Sequence, residues 1–219
     1  MLYIVSTPIG NLEDITLRAL RILKEVDYIA AEDTRRTGIL LHHFEIQTPQ
    51  ISFHSYSSDA KLDKIMAMLH EGKHVALVSD SGTPGISDPG YLLIRRAVEE
   101  GIEITPIPGS SACLSALVVS GLPMDKFIFI GFLPVKKGRK TLLEGLNSEK
   151  RTIILYEAPH RLQRTLKDLD ENGFSDHNLV IARELTKIHE TIYRGTVNNL
   201  RSNLKNQVLK GEMVLVLHR

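Results

Sequence analysis

The feature that most constrains this chain is an alternation running through roughly its first 120 residues. Short apolar runs, Leu2–Ser6, Tyr28–Ala31, Gln50–Phe53, Val75–Val78 and Ile102–Thr105, take turns with longer segments of helical spacing. Asp14 is expected to cap a helix with Leu17, Leu20 and Leu23 on one face; Lys61–His70 carries Leu62, Ile65, Met66 and Leu69 on another. Thr37–Phe44, Tyr91–Glu100 and Ser110–Ser120 complete the helical set. Runs that are short and apolar throughout suit strands buried on both faces, which requires a parallel sheet with helices on either side.

The pattern changes near Gly121-Leu122-Pro123. Beyond it, Phe127–Gly131, Thr152–Tyr156, Leu179–Ala182, Thr191–Arg194 and Met213–Leu217 read as strands, and Leu162–Asn172 as a helix. Two strands close together on either side of Thr186–Glu190 make this second sheet mixed. The expectation is two α/β domains, residues 1–122 with a mostly parallel sheet and residues 123–219 with a mixed one. A chain of 219 residues can bury about 70% of its unfolded surface, enough for a core without staples.

Composition removes several classes of function. At 42% hydrophobic and 24% charged residues, the chain is neither disordered, collagenous nor a coiled coil. A net charge of +1 gives no global basic field, so a nucleic-acid partner would need a local patch. The single cysteine, Cys113, excludes an internal disulfide framework and a Cys-based zinc cluster, and suits a reducing cytoplasm. The uncharged stretch Ile104–Met124 is interrupted by Pro106, Pro108, Gly109 and Pro123, which leaves too short a helix to cross a bilayer. Met1 leads directly into apolar residues without a basic segment, so a first strand is expected, not a signal peptide.

The densest motif is Ser79-Asp80-Ser81-Gly82-Thr83-Pro84-Gly85-Ile86-Ser87-Asp88-Pro89-Gly90, between a strand and a helix. The carboxyl end of a parallel strand is where open α/β sheets bind ligands. Glycines let a ligand approach the backbone, and carboxylates favour a cationic or ribose-bearing ligand over a bare phosphate. The plainer alternative is a structural turn with Asp88 capping the next helix. Neither a GxGxxG nor a GxxxxGK[ST] fingerprint is present. Three charged clusters also end strands: Glu32-Asp33-Thr34-Arg35-Arg36, Tyr156-Glu157-Ala158-Pro159-His160-Arg161 and Ala182-Arg183-Glu184-Leu185-Thr186-Lys187. The first offers a general base and a phosphate clamp, or else a helix cap at Asp33 or Thr34. Lys136-Lys137-Gly138-Arg139-Lys140 reads as a basic loop, the best compositional hint of a polyanion. Metal-ligand spacing and a nucleophile elbow are absent from the sequence.

Taken together with Tyr3-Ile4-Val5-Ser6-Thr7-Pro8-Ile9-Gly10-Asn11-Leu12 and Pro108-Gly109-Ser110-Ser111-Ala112, these blocks resemble the tetrapyrrole-methylase superfamily. Within it they are similar to the branch that methylates a cytidine ribose 2′-hydroxyl of small-subunit ribosomal RNA. The resemblance implies S-adenosylmethionine as donor, a cofactor cleft between two α/β domains, and a homodimer acting on small-subunit ribosomal RNA or a 30S-type subunit. It places Asp80, Thr83, Ile86, Asp88, Ser111, Ala112, Tyr156 and Glu212 at the cofactor. Thr83 stands where the superfamily has the aspartate of a Gly-Asp-Pro motif. Many relatives continue into a C-terminal helical segment, whereas this chain stops soon after Met213–Leu217. Ribose methylation needs a base, for which Glu32, Asp33 and Glu184 are the candidates. Arg35, Arg36, Lys136, Lys137, Arg139, Lys140, Arg161, Arg183 and Lys187 are the candidate cations for RNA. The alternatives are a porphyrinoid C-methyltransferase and a non-catalytic module for cofactor binding or ribosome assembly.

Overall fold

The computed structural model describes residues 1–54, 59–88 and 90–219; Pro89 of the glycine-rich loop lies outside the described residues. The chain divides into two compact units, Met1–Ser111 and Ala112–Arg219.

In the first unit, strands β1 (Leu2–Val5), β2 (Tyr28–Ala31), β3 (Gln50–Ser52), β4 (Val75–Val78) and β5 (Ile104–Ile107) form one sheet. Their order is β3-β2-β4-β1-β5, and every pairing is parallel. Successive side chains point to opposite faces, which gives the unit two cores. Leu2, Ala30, Val75 and Leu77 pack on α3 (Asp59–His70) and α4 (Gly90–Glu99). Val5, Ile29, Ala31, Ala76 and Val78 pack on α1 (Leu17–Glu25) and α2 (Thr34–His43). Pro106 sits in β5 at the sheet edge, where a missing N–H is tolerated.

Helix starts are set by local caps. Thr16 caps α1, its Oγ1 accepting the Ala19 N–H at 3.1 Å, while Asp14 ends a short 3₁₀ turn, Leu12–Asp14. Asp33 caps α2, so the helix begins three residues before the expected Thr37.

The second unit contains β6 (Phe127–Phe132), β7 (Thr152–Glu157), β8 (Asn178–Arg183), β9 (Thr191–Thr196) and β10 (Met213–His218), in the order β6-β7-β10-β8-β9. Only the β6–β7 pairing is parallel, so the sheet is mixed. One face carries α6 (Arg139–Leu146), α7 (Leu162–Leu169) and α8 (Val197–Leu204) over a core that includes Leu143, Leu155, Leu166, Leu200 and Leu215. Full burial of a leucine such as Leu166 is worth about 1.5–3 kcal/mol. The other face is covered by α5 (Ala112–Ser120), which packs on β7, β8 and β10. The division between units therefore falls before α5, while the sequence break at residues 121–123 falls after it.

Two helices were not anticipated. Thr196 caps α8 through its Oγ1 and the Asn199 N–H (3.2 Å), and Val197, Leu200 and Leu204 form the buried face. In α6, the expected basic loop is helical from Arg139 onward.

Candidate functional site

The carboxyl ends of the parallel strands in the first unit converge on one polar cluster. Thr7, just past β1, pairs with Gly82: its N–H donates to Gly82 O at 2.9 Å and its carbonyl accepts the Gly82 N–H at 3.1 Å. The Thr7 hydroxyl donates to Ser79 O at 3.2 Å. Thr83 Oγ1 donates to Ser110 O at 3.3 Å, beyond β5, and lies 3.0 Å from Ser6 Oγ. Thr83 has one hydroxyl proton, so the Ser6 hydroxyl is the donor in that second contact. The loop after β4 is thus tied to β1 and β5 by hydroxyls.

Its acidic residues reach the other way, toward β2. Asp80 Oδ1 accepts the Asp33 N–H at 2.9 Å, and its Oδ2 lies 3.4 Å from Arg36 Nη1. Glu32 Oε2 accepts the Asp80 N–H at 3.4 Å. Burial raises the Glu32 carboxyl above its ordinary range, and the negative charges of Asp80 and Asp88 add to the effect, against the Asp80 N–H and Arg36. Asp88 Oδ1 accepts the N–H groups of Gly85 (2.6 Å) and Gly90 (2.9 Å), closing the loop and capping α4. The structural role foreseen for Asp88 is present alongside its charge. Ile86 stays largely exposed on the loop, and Ser87 adopts φ 67, a left-handed conformation uncommon outside glycine.

This donor set has a definite preference. Carboxylates and hydroxyls converge, with Arg36 as the cation paired to Asp80, so a ligand bearing an amine or a sulfonium fits the cluster better than a bare phosphate. Ser6, Thr7 and Ser110 belong to it although none was singled out from sequence; their signal was their place just beyond strands that the parallel order makes neighbours.

Asp33, one of the candidate bases, is held by its neighbour Arg35. Its carboxylate accepts the Arg35 N–H (2.9 Å), Nε (3.0 Å) and Nη2 (2.7 Å), and the Arg35 hydrogen bonds hold it well below the usual carboxylate range. A carboxylate held that way is a poor proton acceptor, and Arg35, exposed, is its partner.

The second unit holds two separate constructions. At the end of β8, Glu184 and Thr186 both have positive φ, 52 and 65, a conformation that costs on the order of 1–3 kcal/mol per residue. Glu184 lies over Gly211, where a Cβ would come within 2.2 Å of its Cδ. Its Oε1 accepts the Lys187 Nζ (3.0 Å) and the Glu212 N–H (2.9 Å), and Lys187 also reaches Glu212 Oε2 at 2.9 Å. Burial opposes ionisation of Glu184, but Lys187 and the Glu212 N–H outweigh it and hold the carboxyl low. Glu184 thus closes a clasp with Lys187 and the Glu212 N–H, an environment that favours its ionised form. Burial likewise opposes the charge on Lys187, yet Glu212 and Glu184 hold the ammonium above its usual range, so it remains a cation. The Arg183 guanidinium donates to Lys210 O (2.6 Å) and His189 O (3.1 Å).

The second construction is a buried ionic chain. Glu157, 2% exposed, accepts hydrogen bonds from the Ala158 N–H (2.9 Å) and the Thr165 hydroxyl, and pairs with Arg161 Nε at 3.3 Å. Arg139, 4% exposed, donates to Thr165 Oγ1 (2.7 Å), Asp168 Oδ2 (2.6 Å) and Pro134 O (3.2 Å). Arg161 Nη2 donates to Leu133 O. Arg139 is corrected as an RNA contact: its guanidinium points inward and holds the segment that precedes α6. Lys136, Lys137 and Lys140 remain exposed, Lys140 lying 3.7 Å from Glu144. Tyr156 is half-buried, and its hydroxyl is pushed well above the ordinary phenol range by burial, with Cys113 adding to it. Glu212 lies beside the clasp described above. Ser111 and Ala112 mark the boundary between units.

Among the described residues no group of three or more His, Cys, Asp or Glu is placed to hold a metal ion, and no helix is long and apolar enough to cross a membrane.

A parallel sheet with an acidic, hydroxyl-rich loop at its carboxyl edge, followed by a mixed-sheet unit, defines a ligand-binding α/β protein of two units. The chain belongs to the tetrapyrrole (corrin/porphyrin) methylase family, whose model matches residues 1–201. It is 51% identical over 218 residues to ribosomal RNA small subunit methyltransferase I of Synechocystis, covering 99% of this chain and 78% of that protein. It is 50% identical over 216 residues to the protein of the same name from Thermotoga maritima, covering 99% of this chain and 97% of that one. Among solved structures, it is similar in fold to uroporphyrin-III C-methyltransferase from Thermus thermophilus complexed with S-adenyl homocysteine. That likeness has a TM-score of 0.67 at 16% identity and covers 98% of this chain and 96% of the other.

Proposed function

We propose that this protein is an S-adenosylmethionine-dependent methyltransferase of small-subunit ribosomal RNA, and that its acceptor is the ribose 2′-hydroxyl of a cytidine. The observation that carries the reading is identity at about half of all positions, over 99% of the chain, to proteins named as ribosomal RNA small subunit methyltransferases. Tetrapyrrole C-methylation has less support, since the likeness to a uroporphyrin enzyme stands at 16% identity.

S-adenosylmethionine, when bound, supplies a methyl group already activated on a sulfonium. Asp80 and Asp88 complement its positive charges, and Thr83, Ile86 and Ser111 complete the first unit's contribution. This chain's own task is to orient the acceptor and remove its proton. Alignment of donor and acceptor can contribute about 7–11 kcal/mol. Of the three carboxylates considered as base, Glu32 has the environment for it: burial and two neighbouring anions make it a stronger proton acceptor than an ordinary carboxylate. Arg36 orients the acceptor strand, and the enzyme works as a homodimer on a 30S-type subunit in the cytoplasm.

The test offers labelled S-adenosylmethionine with unmethylated small subunits, and separately with a tetrapyrrole. Label in the RNA is the expected result. Label in the tetrapyrrole alone would refute the reading.

A further inference from the structure

We propose that Phe132, with the exposed lysines that follow it, forms a stacking site for an unpaired base of the RNA. The inference rests on the RNA-methyltransferase reading above and adds a recognition residue that the reading does not contain.

The strand β6 carries a register shift. β6 runs parallel to β7 with Phe127 opposite Thr152, Ile128 opposite Ile153 and Phe129 opposite Ile154; then Gly131, not Ile130, stands opposite Leu155. One residue is inserted, and Gly131 accommodates the bulge at φ 70. Strict alternation would send Phe132 to the face opposite Phe129, toward the core that receives Ile128 and Ile130. The bulge reverses this. Phe132 stands opposite Tyr156, and both Phe129 and Phe132 meet the Tyr156 ring edge-on, at centroid separations of 4.9 and 5.7 Å.

The result is an aromatic side chain turned out of the core on an edge strand, 51% exposed and steadied by a tyrosine. An isolated exposed phenylalanine needs no explanation. This one is followed by a segment fixed at two backbone points, Leu133 O by Arg161 and Pro134 O by Arg139. Just beyond those points come Lys136 and Lys137, exposed and with no side-chain hydrogen bond or ion pair among the described residues; the Lys136 carbonyl accepts the Arg139 N–H at 3.3 Å. Lys136 is four residues of chain from Phe132, a span of roughly 14 Å at most, which is within the reach of a few nucleotides of single strand. An exposed π-face with free lysines a few residues along the chain is an arrangement with which proteins hold single-stranded nucleic acid: the base stacks, and the lysines meet phosphate. The charge is what favours RNA over a protein surface here.

The experiment uses the full chain and a short unstructured RNA, with a duplex of equal length for comparison, in fluorescence anisotropy. Phe132→Ala should weaken binding of the single strand about 5- to 150-fold, the usual range for loss of one stacked base, and Phe132→Tyr should restore it. The salt dependence should keep its slope in Phe132→Ala, because no charge is lost. It should flatten by about 1.4 in the Lys136→Ala, Lys137→Ala double variant, the value for two phosphate contacts on a single strand. Duplex binding should respond to the lysines but not to Phe132.

Single-strand affinity unchanged in Phe132→Ala would overturn the site. So would a fall in S-adenosylmethionine affinity alone, which would assign the ring to the cofactor, or a change of oligomeric state in sedimentation, which would assign it to self-association. Methyl transfer to small-subunit RNA by the parent enzyme, run in parallel, tests the underlying reading separately: its absence removes that reading, whereas transfer with an unaffected Phe132→Ala removes only the stacking site.

Discussion

Replacing Arg139 by alanine separates two accounts of the basic run at residues 136–140. If Arg139 met RNA phosphate, the variant would lose about one unit of salt dependence and nothing in stability. The structure places it inward, paired at 2.6 Å with Asp168 and donating to Thr165 Oγ1 and Pro134 O, with 5% of its side chain exposed. Removing one partner of a buried pair costs about 3–5 kcal/mol, because the other charge is left behind. Asp168 keeps Arg164 at 3.6 Å and is 24% exposed, so the lower figure, about 3 kcal/mol, applies. In a chain of this size that corresponds to a fall of roughly 6–12 °C in melting temperature. Thermal unfolding followed by circular dichroism, with RNA binding at several salt concentrations, reads both quantities. An unshifted melting curve together with a flatter salt slope would refute the inward assignment and return Arg139 to the RNA surface.

Three further outcomes follow from the geometry. Asp80→Asn keeps an acceptor for the Asp33 N–H but loses its charge, so calorimetry should show S-adenosylmethionine affinity reduced about tenfold or more, the size of one charged hydrogen bond, with melting unchanged; unaltered affinity would remove Asp80 from the cofactor site. Glu32→Gln should slow single-turnover methylation by roughly 100-fold or more, whereas Glu184→Gln should not slow the chemical step comparably; the opposite ranking would restore Glu184 as base. The pH dependence also distinguishes these two carboxylates. Glu184, held below its ordinary 4.5, stabilises the fold above that pH and ceases to do so as pH falls through its lowered value, so Glu184→Gln should flatten the acid limb of stability. Glu32, raised, is destabilising when ionised, so Glu32→Gln should leave the protein more stable at neutral pH, and a less stable variant would contradict the direction of its shift.

The parallel sheet was legible because its strands are apolar on both faces, a pattern that residues such as Val75, Ala76, Leu77 and Val78 leave no other way to satisfy. The site loop was legible for a related reason: between a strand and a helix stand twelve residues that, Ile86 apart, are all small, polar or turn-forming. What stayed hidden depended on partners distant in sequence. Arg139 is indistinguishable from its lysine neighbours until Asp168 and Thr165 arrive from α7. Glu184 and Glu32 both end strands, but one faces Lys187 and the other faces anions, which sets them to opposite tasks. α8 could have been read from Thr196 with Val197, Leu200 and Leu204, a capped helical pattern placed between strands. Phe132 was hidden by the bulge, since alternation alone sends it to the wrong face.

The most direct test of the account is the chemical position of the transferred methyl group. Small-subunit RNA methylated by the protein with labelled S-adenosylmethionine can be digested in alkali, which cleaves only beside an unmodified 2′-hydroxyl. The account requires the label in an alkali-resistant dinucleotide whose 5′ member is cytidine. Label recovered in single nucleotides would place the methyl on a base and contradict ribose methylation.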